Sequence, residues 1–188
     1  MTVPPEGLSR LVSHALRHEP WLYELALDEE GWVPIGALLG AIHEQGQQWL
    51  QVDRGELIKM IGSSAKARHE IDGQRIRALY GHSVPGRVVH VEADPPAQLF
   101  HGTSPQAWAV IRHSGMRPMG RQYVHLSVDR ATAEQVGRRK SATPVILAVQ
   151  AARAHETGTR FWQGNDAVWL AYYVAADFIA EVAVSGSR

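Results

Sequence analysis

Apolar residues near the start of the chain recur at Leu8, Leu11, Val12, Ala15 and Leu16. Spacings of three and four place them on one face of a helix over 8–18. The other side carries Arg10, His14, Arg17 and His18, and Pro20 ends the helix. A second helical pattern covers 35–43 around Leu38, Leu39 and Ile42. A third opens at Asp53, where Glu56 three residues on gives a capping-box pattern. It buries Leu57, Met60 and Ile61 and stops at Gly62. From Arg68 to Arg77 the pattern becomes strand-like, and Asp72-Gly73 in its middle signals a hairpin. Three helices followed by a β-ribbon is the layout of a winged helix. Such modules hold nucleic acid in some proteins and other proteins elsewhere.

Periodicity is lost over 92–97, Glu-Ala-Asp-Pro-Pro-Ala, which reads as a linker. The predicted domains are therefore 1–92 and 97–188. The second half reads as β-rich with inserted helices. Strands are expected at Gln98–Gly102, Val124–Ser127, Pro144–Val149 and Val168–Leu170. Ser104-Pro105 is an N-cap followed by proline, opening a helix that ends before Gly115. Asp129 caps another helix that reaches about Val136. The fold class is α+β.

Composition adds exclusions. The 188 residues carry 19 Lys+Arg against 19 Asp+Glu, which argues against a surface coated in basic charge for non-specific nucleic-acid binding. Only Lys59, Lys66 and Lys140 are lysines, and arginine is the side chain that grips phosphate in a bidentate way. GC-rich coding would give the same bias. There are no cysteines, so thiolate metal sites are excluded. The first residues lack the apolar core of a secretory signal, and no apolar run suits a membrane span. A cytoplasmic protein with no membrane partner is the expectation.

Six ordered segments resemble the Tpt1/KptA family of RNA 2′-phosphotransferases. They are Leu16-Arg17-His18-Glu19-Pro20, Gly31-Trp32-Val33, and Arg75-Ile76-Arg77-Ala78 with Gly81-His82-Ser83. Then follow Leu99-Phe100-His101-Gly102-Thr103, Met119-Gly120-Arg121-Gln122 with Val124-His125-Leu126-Ser127, and Val136-Gly137-Arg138-Arg139. The first of them belongs to a stretch from Ser9 through Pro20, and the resemblance as a whole spans about 9–180. The resemblance implies a winged-helix N-terminal lobe joined to an ADP-ribosyltransferase-like C-terminal lobe that binds NAD⁺. It implies two steps. The RNA 2′-phosphate attacks the ribose carbon of NAD⁺ and expels nicotinamide. The ribose 2″-hydroxyl then attacks phosphorus, giving 2′-OH RNA and ADP-ribose 1″,2″-cyclic phosphate.

The chemistry suits these residue types. A phosphomonoester is already an anion, so the first step needs a clamp rather than a base. Phosphoryl transfer is then served mainly by charge stabilisation. The resemblance implies Arg17, His18, Arg68 and Arg139 as the catalytic set, with no metal. The arginines would hold phosphate oxygens, and His18 would donate a hydrogen bond or a proton to the departing RNA 2′-oxygen. Arg139 is the match to the last motif, although Arg138 is adjacent and one extra residue precedes Pro144. NAD⁺ contacts map to His101, Gly102 and Thr103 for ADP-ribose, His125 and Ser127 on the nicotinamide side, and Arg121 at the pyrophosphate. Arg77, Gly81, His82 and Ser83 map to RNA or phosphate binding. There is no Rossmann glycine motif. The partners implied are RNA with a 2′-phosphate, such as a spliced tRNA, and NAD⁺, with the protein acting as a monomer.

Plainer readings stand beside these. Arg17 alone is an ordinary cation at a helix C-terminus. His125 alone is a satisfied histidine in an apolar strand. His14 and His18 have a zinc-like spacing but lack a third ligand. Trp32, Trp108 and Trp169 fall in apolar patterns and read as core, whereas Trp21, Trp49 and Trp162 are open to base stacking. The chain departs from the family at Leu79-Tyr80, where relatives carry Asn-Gln, at Tyr123, where they carry His, and at Asp166-Ala167, where they carry Asn-Gly. Two other functions fit the same residues: ADP-ribosylation of nucleic-acid terminal phosphates, and a non-catalytic RNA-binding winged helix.

Overall fold

The computed structural model describes residues 5–182. Its helices and two antiparallel sheets form a mixed α/β protein. The chain divides between Val89 and His90 into two compact units.

The first unit begins with α1 (Pro5–Arg17). Leu8, Val12, Ala15 and Leu16 are buried as the periodicity predicts. They meet Leu38 and Ile42 of α2 (Ile35–His43), Leu57 of α3 (Arg54–Gly62) and Ile76 in one core. Leu16 is fully buried, so Leu16→Ala would cost about 2–5 kcal/mol. Asp53 caps α3, its Oδ1 accepting from the Glu56 amide at 2.9 Å. The expected capping box is half made, because the Glu56 carboxylate turns to Lys59 Nζ at 2.6 Å. The hairpin forms from β2 (His69–Asp72) and β3 (Arg75–Ala78), and Asp72 pairs with Arg75 across a two-residue loop. Gly73 takes φ +56° there, a left-handed conformation that suits glycine. Arg68 lies just before β2 rather than opening it. A third strand that periodicity does not signal, β1 (Val33–Pro34), pairs with β3, giving the order β1-β3-β2.

The second unit is a six-stranded antiparallel sheet. Its strands are β4 (Leu99–Thr103), β5 (Val124–Ser127), β6 (Val145–Val149), β7 (Phe161–Asn165), β8 (Val168–Ala171) and β9 (Ile179–Val182), ordered β7-β8-β5-β4-β6-β9. Ser104 caps α4 (Pro105–Ser114) and Asp129 caps α5 (Arg130–Arg138), each through its side-chain oxygen. Leu99, Leu126, Leu147, Phe161 and Trp169 form the core with Ala151 and Ala154 of a short α6 (Ala151–Glu156). The segment read as a linker is partly tied down. The Ala93 amide donates to the Phe161 carbonyl at 3.1 Å. Glu92 pairs with Arg160, and Asp94 meets His155 Nε2 at 3.2 Å.

Candidate active site

In the first unit a groove of about 750 Å³ opens between α1 and the segment joining α3 to β2. Arg17, His18 and Arg68 all line it. Arg17 is the last residue of α1, and its Nη2 donates to the Arg68 carbonyl at 3.0 Å. The same carbonyl accepts the Leu79 amide at 3.0 Å. The Arg17 guanidinium lies over the Tyr80 ring, 5.1 Å from its centroid. Gly81, at φ +89°, passes close to this side chain. Arg68 Nη1 donates to Ser64 Oγ at 3.1 Å, and Ser64 in turn donates to the Lys66 carbonyl at 2.7 Å. A carbonyl and a ring thus orient the Arg17 guanidinium, and a hydroxyl orients that of Arg68.

His18 Nδ1 is 2.9 Å from Ser83 Oγ. The Ser83 amide donates to the Arg17 carbonyl at 2.8 Å, so the Gly81-His82-Ser83 turn is strapped to the end of α1. Behind the groove lies His69, buried, with Nε2 3.1 Å from Ser13 Oγ. Burial above all, then the charges of Arg17, Arg68 and His82, push its pKa down to about 3. It is neutral at working pH and adds no charge to the cluster.

The four residues mapped to RNA or phosphate contact are placed differently from one another. Gly81 lies against Arg17, Ser83 braces His18, and His82 is buried beside Gly31. Arg77 is absent from the groove wall. It pairs with Glu70 at 2.8 Å and Glu30 at 3.4 Å, and stacks on Trp32 at 4.4 Å. Arg75 lies over the same indole at 4.9 Å and pairs with Asp72 at 3.1 Å.

In the second unit β4 and β5 are paired at Phe100↔Ser127. The His101 ring bridges them further along, Nδ1–H donating to the His125 carbonyl at 2.8 Å. Burial and then the Lys140 charge lower the His101 pKa to about 4, against the raising effect of that hydrogen bond. The ring is neutral, and its Nε2 is an acceptor. Lys140 Nζ sits 3.4 Å from it and 3.2 Å from the Gly102 carbonyl. The pKa of Lys140 is lowered by burial and then by the neighbouring Arg121 charge. Lys140 joins this cluster without belonging to any motif. Gly102 serves packing: a Cβ there would meet the Ala133 carbonyl oxygen of α5 at 1.9 Å. Thr103 and Ser127 are buried, His125 is half-buried, and Arg121 and Arg139 are exposed. Arg139 is the C-cap residue of α5.

His14 is engaged by Tyr23 at 3.0 Å and Glu19 at 3.0 Å. Among the described residues no group of three His, Cys, Asp or Glu side chains is placed to hold a metal ion. No helix there is long and apolar enough to cross a membrane. Trp32, Trp162 and Trp169 are buried, Trp108 and Trp49 are half-buried against the cores, and Trp21 is exposed.

Two arginines and a histidine around one groove make a cationic cluster whose chemistry suits an oxyanion of phosphate type. The family follows from the sequence as a whole. The model of the RNA 2′-phosphotransferase, Tpt1/KptA family matches residues 4–172, and the chain belongs to that family of transferases, which remove a 2′-phosphate from RNA. A relative from Bacillus thuringiensis, named "Probable RNA 2′-phosphotransferase", is 51% identical over 174 residues, 93% of this chain and 94% of its own. One of the same name from Acetivibrio thermocellus is 48% identical over 172 residues, 92% of this chain and 94% of its own. Another from Pseudomonas paraeruginosa is 43% identical over 179 residues, 94% and 96%.

Proposed function

We propose that the chain moves an internal RNA 2′-phosphate onto NAD⁺ in two steps, with Arg17, His18, Arg68 and Arg139 as the catalytic set. The carrying observation is the convergence of Arg17, His18 and Arg68 on one groove. NAD⁺ supplies the electrophilic ribose carbon and nicotinamide as the leaving group. The bond to nicotinamide breaks as the phosphate oxygen bonds to that carbon. The ribose hydroxyl then takes the phosphorus, and the RNA 2′-oxygen leaves with a proton.

Arg17 and Arg68 hold the non-bridging oxygens in both steps. Their charge lowers repulsion as two anionic reactants meet, and stabilises the transition state of the second. Ser83 engages His18 Nδ1 and so assigns Nε2 to the departing 2′-oxygen. Ser83 is therefore a positioning residue rather than a phosphate ligand. We assign the N-terminal unit as a winged-helix lobe that takes the RNA, and the C-terminal unit as an ADP-ribosyltransferase-like lobe that takes NAD⁺. The cationic pair Lys140 and Arg121 beside the neutral His101 fits a pyrophosphate and ribose hydroxyls. His125 and Ser127 keep the nicotinamide side in this assignment. Arg77, locked into carboxylates, supports the β-ribbon instead of touching phosphate.

The test is a short RNA with one internal 2′-phosphate, incubated with and without NAD⁺ and resolved by mass. NAD⁺-dependent loss of the phosphate, with ADP-ribose cyclic phosphate released, is expected. RNA that gains ADP-ribose and keeps it would replace this reading with terminal or stalled ADP-ribosylation. RNA bound but unchanged would indicate a binding protein.

A further inference from the structure

The groove is much larger than the reacting group. At about 750 Å³ it lies within the range of sites that enclose whole drug-sized ligands, not a lone phosphate. Arg17, His18 and Arg68 account for one end. The rest runs back along α1 past Ser13, Arg10 and Ser9, facing Ser63 and Ser64. Arg10 precedes Arg17 by seven residues, two helical turns or about 10 Å along the axis. A phosphate recurs on the order of every 3.4 Å of axis per strand in a regular helix. Arg10 therefore stands level with a phosphate beyond the one that reacts.

The chemistry of this wall matches a nucleic-acid backbone. Arg10 makes no ion pair among the described residues, and its Nε donates to the Glu6 carbonyl at 3.4 Å. It keeps its charge for an external anion, as Arg75 and Arg77 do not. Between Arg10 and the catalytic end the wall presents hydroxyls, and Ser13 is fixed by its bond to His69. Serine hydroxyls suit ribose oxygens and phosphate oxygens and discriminate little between bases. Glu6 is the one carboxylate on the wall, a turn beyond Arg10, where its charge ends the anionic track.

We infer that Arg10, with Ser9 and Ser13, forms a second phosphate subsite that holds a backbone phosphate about three nucleotides from the 2′-phosphorylated one. It makes the protein a reader of strand rather than of an isolated nucleotide 2′-phosphate, without base preference. This rests on the assignment of Arg17, His18 and Arg68 to the reacting phosphate.

The experiment compares wild type, Arg10→Gln and Arg10→Lys on two substrates. One is a hexanucleotide with a single internal 2′-phosphate, and the other a dinucleotide 2′-phosphate, whose single linking phosphate lies too near the reacting group to reach Arg10. Arg10→Gln is expected to lower kcat/KM on the hexanucleotide about tenfold, through KM, as for a lost charged hydrogen bond. The preference for hexanucleotide over dinucleotide should shrink by the same factor. The slope of log affinity against log salt should fall by about 0.7, the value for one single-strand contact. Arg10→Lys should restore the slope. An unchanged preference and slope in Arg10→Gln overturns the subsite. Binding is read by anisotropy as well as turnover, so a wild type that binds RNA but does not react tests the subsite while refuting the proposed reaction.

Discussion

Two pairs of arginines lie within one unit, and they are used in opposite ways. Arg75 and Arg77, on β3, are clamped by Asp72, Glu70 and Glu30, and both stack on Trp32. Arg17 and Arg68 are steered by the Arg68 carbonyl, Ser64 Oγ and the Tyr80 ring. A carboxylate fixes a guanidinium and cancels it. A carbonyl, a hydroxyl or an aromatic face fixes it while leaving the charge for a ligand. On the proposed assignment, the partner, more than the motif, separates a structural arginine from a functional one.

The sharpest way to break this comparison is substitution on each side. Arg17→Ala and Arg68→Ala are each expected to lower kcat about 10²–10³-fold, as when one transition-state donor is lost. Their melting temperatures should stay near wild type. Arg77→Ala should do the reverse. It strands Glu70 and loosens Trp32, at a cost of about 1 kcal/mol in stability measured by denaturant, while turnover stays within a few-fold. Equal loss of turnover in Arg77→Ala, with the fold intact, would overturn the division.

His69 tests the neutral backing of the cluster. Its folded pKa of about 3 lies below the unfolded value of 6.5. The unfolded chain therefore binds the extra proton between these limits. Stability from this group is fully present above 6.5 and is lost as pH falls toward 3, at about 1.4 kcal/mol per pH unit. His69→Asn should remove that slope between pH 6 and 4 while other acid-sensitive groups, His101 among them, remain. Denaturant titrations of both proteins across this range give the difference directly. Parallel slopes would mean that His69 is already protonated beside the arginines.

The parts of the molecule that were legible in the sequence are those set by neighbours along the chain. The amphipathic face of α1, the caps at Asp53, Ser104 and Asp129, and the Asp72-Gly73 turn are local signals, and each is present. The two-residue β1 and the edge strand β9 depend on strands far away in sequence, and α6 is only six residues long. Their residues carry no period of their own to read. The candidate site divides in the same way. A motif marks Arg17 and His18, and the family resemblance marks Arg68. The hydrogen bond that makes Ser83 a brace spans 65 residues, and the Glu30 that holds Arg77 is 47 residues away. Lys140 sits in a stretch with no motif and meets His101 across 39 residues. The Leu79-Tyr80 departure gains a use only when Tyr80 is seen under Arg17.

Ser83 sharpens the comparison from the histidine. Ser83→Ala removes the partner of His18 Nδ1 but leaves the Ser83 amide on the Arg17 carbonyl. A fall in kcat of about tenfold is expected, with KM for RNA little changed, because orientation rather than binding is lost. The alkaline limb of the kcat profile, where a proton-donating His18 is lost, should shift, since the hydroxyl that engages Nδ1 is gone. Ser83→Thr should restore both. A rise in KM without these changes would return Ser83 to the role of phosphate ligand.

The smallest expected effect carries the comparison into the second unit. Lys140 is steered as Arg17 and Arg68 are, by the neutral His101 Nε2 and the Gly102 carbonyl, and it lies near the charge of Arg121. Two cations brought near each other raise the energy of the ligand-free protein, and an anion between them recovers it. If partner type marks function, Lys140→Met should raise KM for NAD⁺ about three- to fivefold with kcat nearly constant, the size of a partly solvent-screened charge contact. Stability should hold or rise slightly, because a repulsion is removed. Lys140→Arg should keep most of the affinity. If Lys140→Met instead lowers stability and leaves KM for NAD⁺ unchanged, a cation on neutral partners can also be a structural tie, and the rule drawn from the first unit would not extend beyond it.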